Sequence, residues 1–163
     1  MLYNFLTVHR PAPADMAAAL AGAVGVPVTD VDVAAEDADP EGRNWDAPVL
    51  CGYRAVRGDL ALSWDVYVSD EAVPDAPDEP AAARRVAAAT GTTVLYPATD
   101  LVNPSAYWAA TPEGTVARAR LYESDDDEPV LTVDAVEAPV PQLPAARVEP
   151  LPEARQSAPD TST

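Results

Sequence analysis

Cysteine and histidine are almost absent from this sequence of 163 residues, which has one of each. Cys51 has no second cysteine to pair with, which excludes a disulfide within the chain and a zinc site built from several cysteines. His9 is the sole imidazole, so a Ser-His or Cys-His catalytic pair would have to use it. Because both residues lie in strand-like segments, we expect neither to be catalytic, and a conventional enzyme is the less favoured interpretation.

Glycine is also scarce, with seven residues, and no phosphate loop or dinucleotide-binding pattern is present. The longest mostly apolar stretch, residues 16–28, covers about half of a membrane span and is interrupted by glycine and proline. The first residues lack the basic and apolar pattern of an export signal. We therefore expect a cytoplasmic protein with no cofactor, no bound metal and no membrane contact.

Lysine is absent, and ten arginines face 27 acidic residues, which gives a formal net charge of −17. A surface of this sign repels phosphates and anionic lipids, so we expect no nucleic-acid partner and no membrane partner. A basic protein is the kind of partner that such a surface attracts. Adaptation to high salt, or the codon bias of a GC-rich genome, would also produce an acidic chain, and neither assigns a function.

The pattern of apolar residues predicts an α+β fold with two helices and an antiparallel sheet. One helix is predicted over residues 13–24, ending at Gly25, and a second over 79–90 with Asp78 as its N-cap. Residues 26–33 are predicted to be extended. The predicted strands are 2–9, 48–56, 59–68, 92–96, 106–111, 115–122 and 130–136.

The strongest local signal is a hairpin turn at Arg57-Gly58 between two alternating segments. The order β-α-β-β-α-β over residues 2–96 predicts a ferredoxin-like core, extended by a C-terminal hairpin and strand. Residues 1–137 are predicted to form a single acidic domain. Six of the 18 prolines lie in residues 138–163, so this part is predicted to be an extended arm (138–150) followed by a disordered tail.

Three motif-like segments are better explained by local structure. The run from Asp37 to Gly42 begins like a calcium-binding loop, but Pro48 occupies the position that needs a glutamate. Arg57-Gly58-Asp59 spells an adhesion tripeptide in the predicted hairpin turn. Residues 141–144 form a PxxP element, which a proline-rich arm explains without a partner.

The acidic residues concentrate in three predicted loops, at 35–46, 69–79 and 124–128. We expect their carboxylates to steer a basic partner and exposed aromatic rings to anchor it. The candidate binding residues are Trp45, Tyr67, Asp125, Asp126 and Asp127.

Two functional hypotheses remain open. The leading one is a non-catalytic protein-binding module, comparable only in type to the small acidic immunity and antitoxin proteins of bacteria. The alternative is a small-ligand-binding domain or atypical enzyme, whose pocket would lie on a sheet face with Tyr53, Tyr67, Tyr96 or Trp108. The sequence predicts no oligomeric state.

Overall fold

A computed structural model describes residues 1–99 and 104–151 of the chain. Within these residues the fold is α+β, with two helices and one mixed, mostly antiparallel sheet of ten strands. The strands are β1 (Leu2–Thr7), β2 (Val31–Ala35), β3 (Val49–Ala55), β4 (Arg57–Gly58), β5 (Leu62–Val68), β6 (Val94–Pro97), β7 (Ala106–Ala110), β8 (Val116–Glu123), β9 (Val130–Val136) and β10 (Arg147–Val148). The helices are α1 (Pro13–Val24) and α2 (Glu79–Thr90).

Both helices lie where the sequence predicts them. Helix α1 ends at Gly25, whose N–H donates to the carbonyl of Ala21. Helix α2 begins at Asp78, whose carboxylate accepts a hydrogen bond from the N–H of Ala81, as expected of an N-cap. Neither of these described helices is long and apolar enough to cross a membrane.

The sheet is larger than the sequence predicts. Its strand order is β10-β9-β8-β7-β6-β1-β5-β3-β2, and β4 pairs separately with β9. The pairs β2–β3, β9–β10 and β4–β9 are parallel, whereas the other pairs are antiparallel. Strands β2, β4 and β10 are not among the predicted strands, because two of them have only two residues and β2 shows no alternation of buried and exposed positions.

Strand β4 lies in the connection between β3 and β5, and it pairs with β9, which is distant in the strand order. The sheet therefore curls back on itself. In β4, Gly58 is opposite Leu131 and has a φ of +103°. The next residue, Asp59, donates its N–H to the carbonyl of Leu131 and accepts the N–H of Val133 on its carboxylate. The glycine predicted as a simple hairpin turn therefore belongs to a contact between distant strands.

This curl divides the buried apolar residues of the described chain into two large cores and a small third cluster around Leu151. The first lies between the helices and one face of the sheet, and it includes Phe5, Met16 and Trp64. The second lies inside the curled sheet and includes Leu95 and Leu121. Because side chains alternate along a strand, β1 and β6 contribute to both cores.

The proline-rich arm packs on the sheet as far as it is described. Val140 and Leu143 are buried in the second core, and Leu151 is fully buried. The side chain of Gln142 accepts the N–H of Thr93 at 2.6 Å and donates to the carbonyl of Gly91 at 3.0 Å. The disordered tail that the sequence predicts falls, from residue 152 onward, outside the described residues.

Candidate functional site

One face of β1 and β5 has no helix packed on it. Every second residue of β1 and β5 lies on this face, and these residues form three cross-strand pairs. We call the surface that they form the helix-free face. The pairs are Leu2 opposite Tyr67, Asn4 opposite Asp65, and Leu6 opposite Ser63. The opposite face of the same strands contributes Phe5 and Trp64 to the first core.

The open end of the helix-free face exposes two large apolar side chains. Leu2 is 65% exposed and Tyr67 is 48% exposed, and the two residues are direct neighbours across the strand pair. Asp65, in the next pair, is also exposed. The sequence predicts that Tyr67 is an exposed aromatic residue, and its side chain is exposed in the structure.

The other end of the helix-free face enters a cleft of about 910 Å³. Asn4, Leu6, Ser63 and Asp65 lie in the part of its lining that β1 and β5 supply. The remaining lining comes from β3 and β4, from β6, from β7 and the two residues before it, from β8, and from β9 with the loop that precedes it. These remaining residues include Arg54, Val56, Arg57, Tyr107, Leu121, Tyr122, Glu123, Asp127 and Glu128.

Ser63 is the most unusual polar residue of the cleft. It is 8% exposed, yet its hydroxyl has no hydrogen-bond partner anywhere in residues 1–99 and 104–151. The hydroxyl oxygen is not one of the fully buried polar atoms that lack a hydrogen-bond partner, which are found at Thr93 and Arg118 of the described chain. It is therefore open to the cleft and available to a ligand.

The carboxylates that line the cleft outnumber its arginines. Arg54 lies 3.9 Å from a carboxylate oxygen of Glu36, and Arg57 lies 3.5 Å from one of Glu128. The other carboxylates of the lining, at Asp65, Glu123 and Asp127, make no ion pair with any part of the chain that the structure describes. The cleft therefore has a negative potential.

The pKa of Tyr107, one of the two tyrosines that line the cleft, reflects this environment. Burial raises the pKa of Tyr107, and the nearby carboxylates of Glu123 and Glu79 raise it further. Burial also raises the pKa of Glu79, although that carboxylate accepts the N–H of Asn4 at 2.7 Å, which acts in the opposite direction. Both shifts indicate that negative charge near this part of the cleft is poorly solvated.

Comparisons with protein-family models, curated proteins and solved structures find no match. Its function must be argued from the residues of the helix-free face and the cleft.

The structure separates the five candidate binding residues. Tyr67 lies on the helix-free face and Asp127 lines the cleft, which the helix-free face enters. Asp125 and Asp126 are exposed in the same loop as Asp127, but neither lines the cleft. Trp45 is 60% exposed in the loop between β2 and β3, and its indole N–H donates to a backbone carbonyl of that loop.

Arg43 fixes the loop that carries Trp45. Its guanidinium binds the carboxylate of Asp32 at 2.8 Å and the carbonyl of Cys51 at 3.0 Å, and it lies 5.3 Å from the centre of the Trp45 ring. The acidic run from Asp37 to Gly42 lies in this loop and contains one 3-10 turn capped by Asp39. The described residues contain no group of three or more His, Cys, Asp or Glu that could hold a metal ion.

The two scarce residues with catalytic potential lie in unfavourable places. Cys51 is fully buried, and burial raises the pKa of its thiol to about 12, so the reactive thiolate does not form near neutral pH. His9 is exposed, and its ring makes no hydrogen bond or ion pair within the part of the chain described. Neither residue lines the cleft.

None of the four aromatic residues proposed from the sequence for a pocket lines the cleft. Tyr53 packs against Trp64 at the first core, with the two rings tilted by 38° and their centres 4.9 Å apart. Tyr96 is buried in that core, and Trp108 lies under the guanidinium of Arg118 at 4.6 Å. The aromatic residues of the cleft are instead Phe5, Tyr107 and Tyr122. Tyr107 and Ser63 were not proposed from the sequence, because alternation gives the face of a strand but not what lies above it.

Proposed function

We propose that the chain is a non-catalytic protein-binding module that binds a basic segment of a partner protein on its helix-free face. The observation that carries this proposal is the exposed pair Leu2 and Tyr67 beside Asp65, whose carboxylate has no partner in residues 1–99 and 104–151. Apolar side chains that touch each other on an open sheet gain most from being covered by another apolar surface. The adjoining carboxylates favour a partner whose apolar residues are flanked by positive charge.

The net charge of the chain supports the same kind of partner. A formal charge of −17 attracts a basic protein over several ångströms and raises its rate of association at low salt. The exposed tyrosine then supplies the kind of rigid, amphipathic contact that often dominates binding energy. We expect salt to slow association with this partner much more than it speeds dissociation.

We also propose a ferredoxin-like unit as the scaffold of the helix-free face. The antiparallel order β6-β1-β5-β3 and the placement of α1 and α2 against the first core support this interpretation. In such a unit the helices cover one face of the four strands. The other face is then available for binding, which is the face that Leu2 and Tyr67 occupy.

Affinity capture with matched variants tests the proposed function. The purified full chain, Leu2→Asp and Val148→Asp would each capture proteins from a lysate of the cells that encode it. Val148 is a suitable control because it is 55% exposed and lies in β10, at the other end of the strand order. Each captured protein would then be purified and its association measured between about 50 mM and 500 mM NaCl, a range that strongly changes screening.

We expect a basic protein that binds the original chain and Val148→Asp but binds Leu2→Asp at least about tenfold more weakly. Equal binding to both variants would contradict the helix-free face as the interface. The alternative hypothesis, a small-ligand-binding domain, draws on the volume of the cleft. Saturable thermal stabilisation by a neutral metabolite, without any basic partner, would favour that alternative.

A further inference from the structure

We propose that the cleft binds a primary ammonium group on an aliphatic stem, presented as a lysine side chain of the basic segment. This inference rests on the proposed function and names the residue type that the cleft recognises. It is carried by three polar side chains of the helix-free face, which are Asn4, Ser63 and Asp65. None of these three side chains has a hydrogen-bond or ion-pair partner among the described residues.

The three side chains are close enough to bind one group. Asn4 is directly opposite Asp65 in the register of β1 and β5, and Ser63 lies two residues from Asp65 on the same face. Such neighbours have Cβ atoms about 5 to 7 Å apart, so their polar ends can converge on a single atom. An ammonium group has three N–H donors and no acceptor, which matches the amide, hydroxyl and carboxylate oxygens of this set.

The hydroxyl of Ser63 is the observation that is independent of the acidic charge. An acidic surface alone attracts any cation and needs no particular hydrogen-bond acceptor. Ser63 is only 8% exposed and lines the cleft, and its hydroxyl has no partner within the described chain. Because this oxygen is not one of the fully buried unpartnered atoms, it is open to the cleft, where an N–H of a ligand can donate to it.

The rest of the lining fits the stem of a lysine and excludes an anion. Leu6, Val56 and Leu121 present apolar surface that four methylene groups can cover. The two arginines of the lining lie near the carboxylates of Glu36 and Glu128, so their charge is partly compensated. A cleft of about 910 Å³ is also much larger than a free alkylamine, which favours a lysine within a peptide segment.

Titration of the full-length chain with lysine derivatives tests this site. The probe is Nα-acetyl-lysine N-methylamide, and the neutral control carries a second acetyl group on its side-chain nitrogen. Amide NMR shifts of the ¹⁵N-labelled chain would be followed at constant ionic strength. We expect saturable shifts at Ser63, Asp65 and Tyr107, and an affinity for the control that is at least about tenfold lower.

Three variants locate the binding. Asp65→Asn should weaken the probe about tenfold, since it removes the charge but keeps the shape. Ser63→Ala should weaken it about threefold through loss of one acceptor. Asp15→Asn removes another exposed carboxylate, in the first turn of α1 and away from the cleft, and should leave the affinity unchanged.

Several outcomes would overturn the inference. Equal binding of the charged and neutral derivatives would show that no ammonium is recognised, and equal effects of Asp65→Asn and Asp15→Asn would show only general attraction of cations. The corresponding arginine derivative and cadaverine would be titrated in the same way. Tighter binding of the arginine derivative would show that the cleft recognises a guanidinium, and tighter binding of cadaverine would show that it recognises a free diamine.

The proposed function can fail separately from this site. Leu2 does not line the cleft, so Leu2→Asp should leave the affinity for the lysine derivative unchanged while it weakens the protein partner. If the derivative fails to bind but Leu2→Asp still weakens the partner, the site is refuted and the proposed function stands. If Leu2→Asp has no effect on a partner that Asp65→Asn weakens, the exposed pair Leu2 and Tyr67 is refuted as part of the interface.

Discussion

Gly58 is the single residue on which the curl of the sheet most depends. A Cβ atom at this position would overlap the backbone of Leu131, and the φ of +103° is one that other residues rarely adopt. We expect Gly58→Ala to destabilise the protein by about 4 kcal/mol or more, because backbone strain and a steric clash add. Urea denaturation followed by circular dichroism would measure the change in unfolding free energy.

Gly114 is a matched control for Gly58. Its φ is +96°, but a Cβ atom at this position meets no atom within 4 Å. Gly114→Ala should therefore cost only the backbone strain, about 1 to 3 kcal/mol. If the two variants had the same stability, the contact between β4 and β9 would not contribute to the fold.

At the scale of secondary-structure elements, the helices were predictable and the complete sheet was not. Helix α2 is marked by local signals, since Asp78 caps its first turn and Gly91 ends it. Strands β4 and β10 have two residues each, which is too short for any alternation. Their pairing with β9 depends on contacts between residues that are far apart in the sequence, which no local pattern reveals.

The proline-rich arm is held on the sheet by an ion-pair network centred on Asp134 of β9. The Asp134 carboxylate binds Arg120 of β8 at 2.7 Å and lies 3.4 Å from Arg147 of β10. We expect Asp134→Asn to lower the unfolding free energy at pH 7 by about 1 to 2 kcal/mol, because it removes the shortest ion pair of the partly buried Arg120 and leaves the longer contact with Glu149. Proteolysis of the arm should also become faster, as a mass-spectrometric time course would show.

The effect of Asp134→Asn should depend on pH. The hydrogen bond from Arg120 lowers the pKa of Asp134 below its usual value of 3.8, so the folded state favours the charged carboxylate. This stabilisation is present above pH 3.8 and is lost as the pH falls through the lowered pKa. The difference in unfolding free energy between the original chain and Asp134→Asn should therefore shrink below pH 4. A constant difference, or an equal loss in Glu128→Gln, whose carboxylate is 79% exposed, would contradict this assignment.

At the scale of the whole molecule, the sequence shows the sign of the surface charge but not where a cleft lies. The excess of acidic residues is visible in the composition, and Tyr67 was predictable as an exposed residue of an alternating strand. The cleft was not predictable, because Ser63 of β5 and Tyr107 of β7 meet only after the sheet has curled. The loop that carries Asp127 reaches the same cleft through the pairing of β8 with β9.

The net charge makes a prediction about salt that separates binding from adaptation to a salt-rich cell. Uncompensated carboxylates repel one another in the folded chain, and dissolved salt screens this repulsion. Screening is nearly complete at about 0.5 M, where the Debye length is only a few ångströms. We therefore expect the unfolding free energy to rise with KCl up to about 0.5 M and then to level off. Urea is the suitable denaturant because, unlike guanidinium chloride, it adds no ions.

A variant with fewer charges provides the control for this salt dependence. Asp37→Asn, Glu71→Gln and Glu113→Gln together neutralise three exposed carboxylates that make no ion pair within the described residues. With less repulsion to screen, this triple variant should be more stable at low salt and should gain less from added KCl. A stability that continues to rise steeply in molar KCl, in both proteins, would instead identify the acidity as an adaptation to salt. A level curve above 0.5 M would contradict adaptation to salt and is the behaviour expected of a charge that attracts a basic partner.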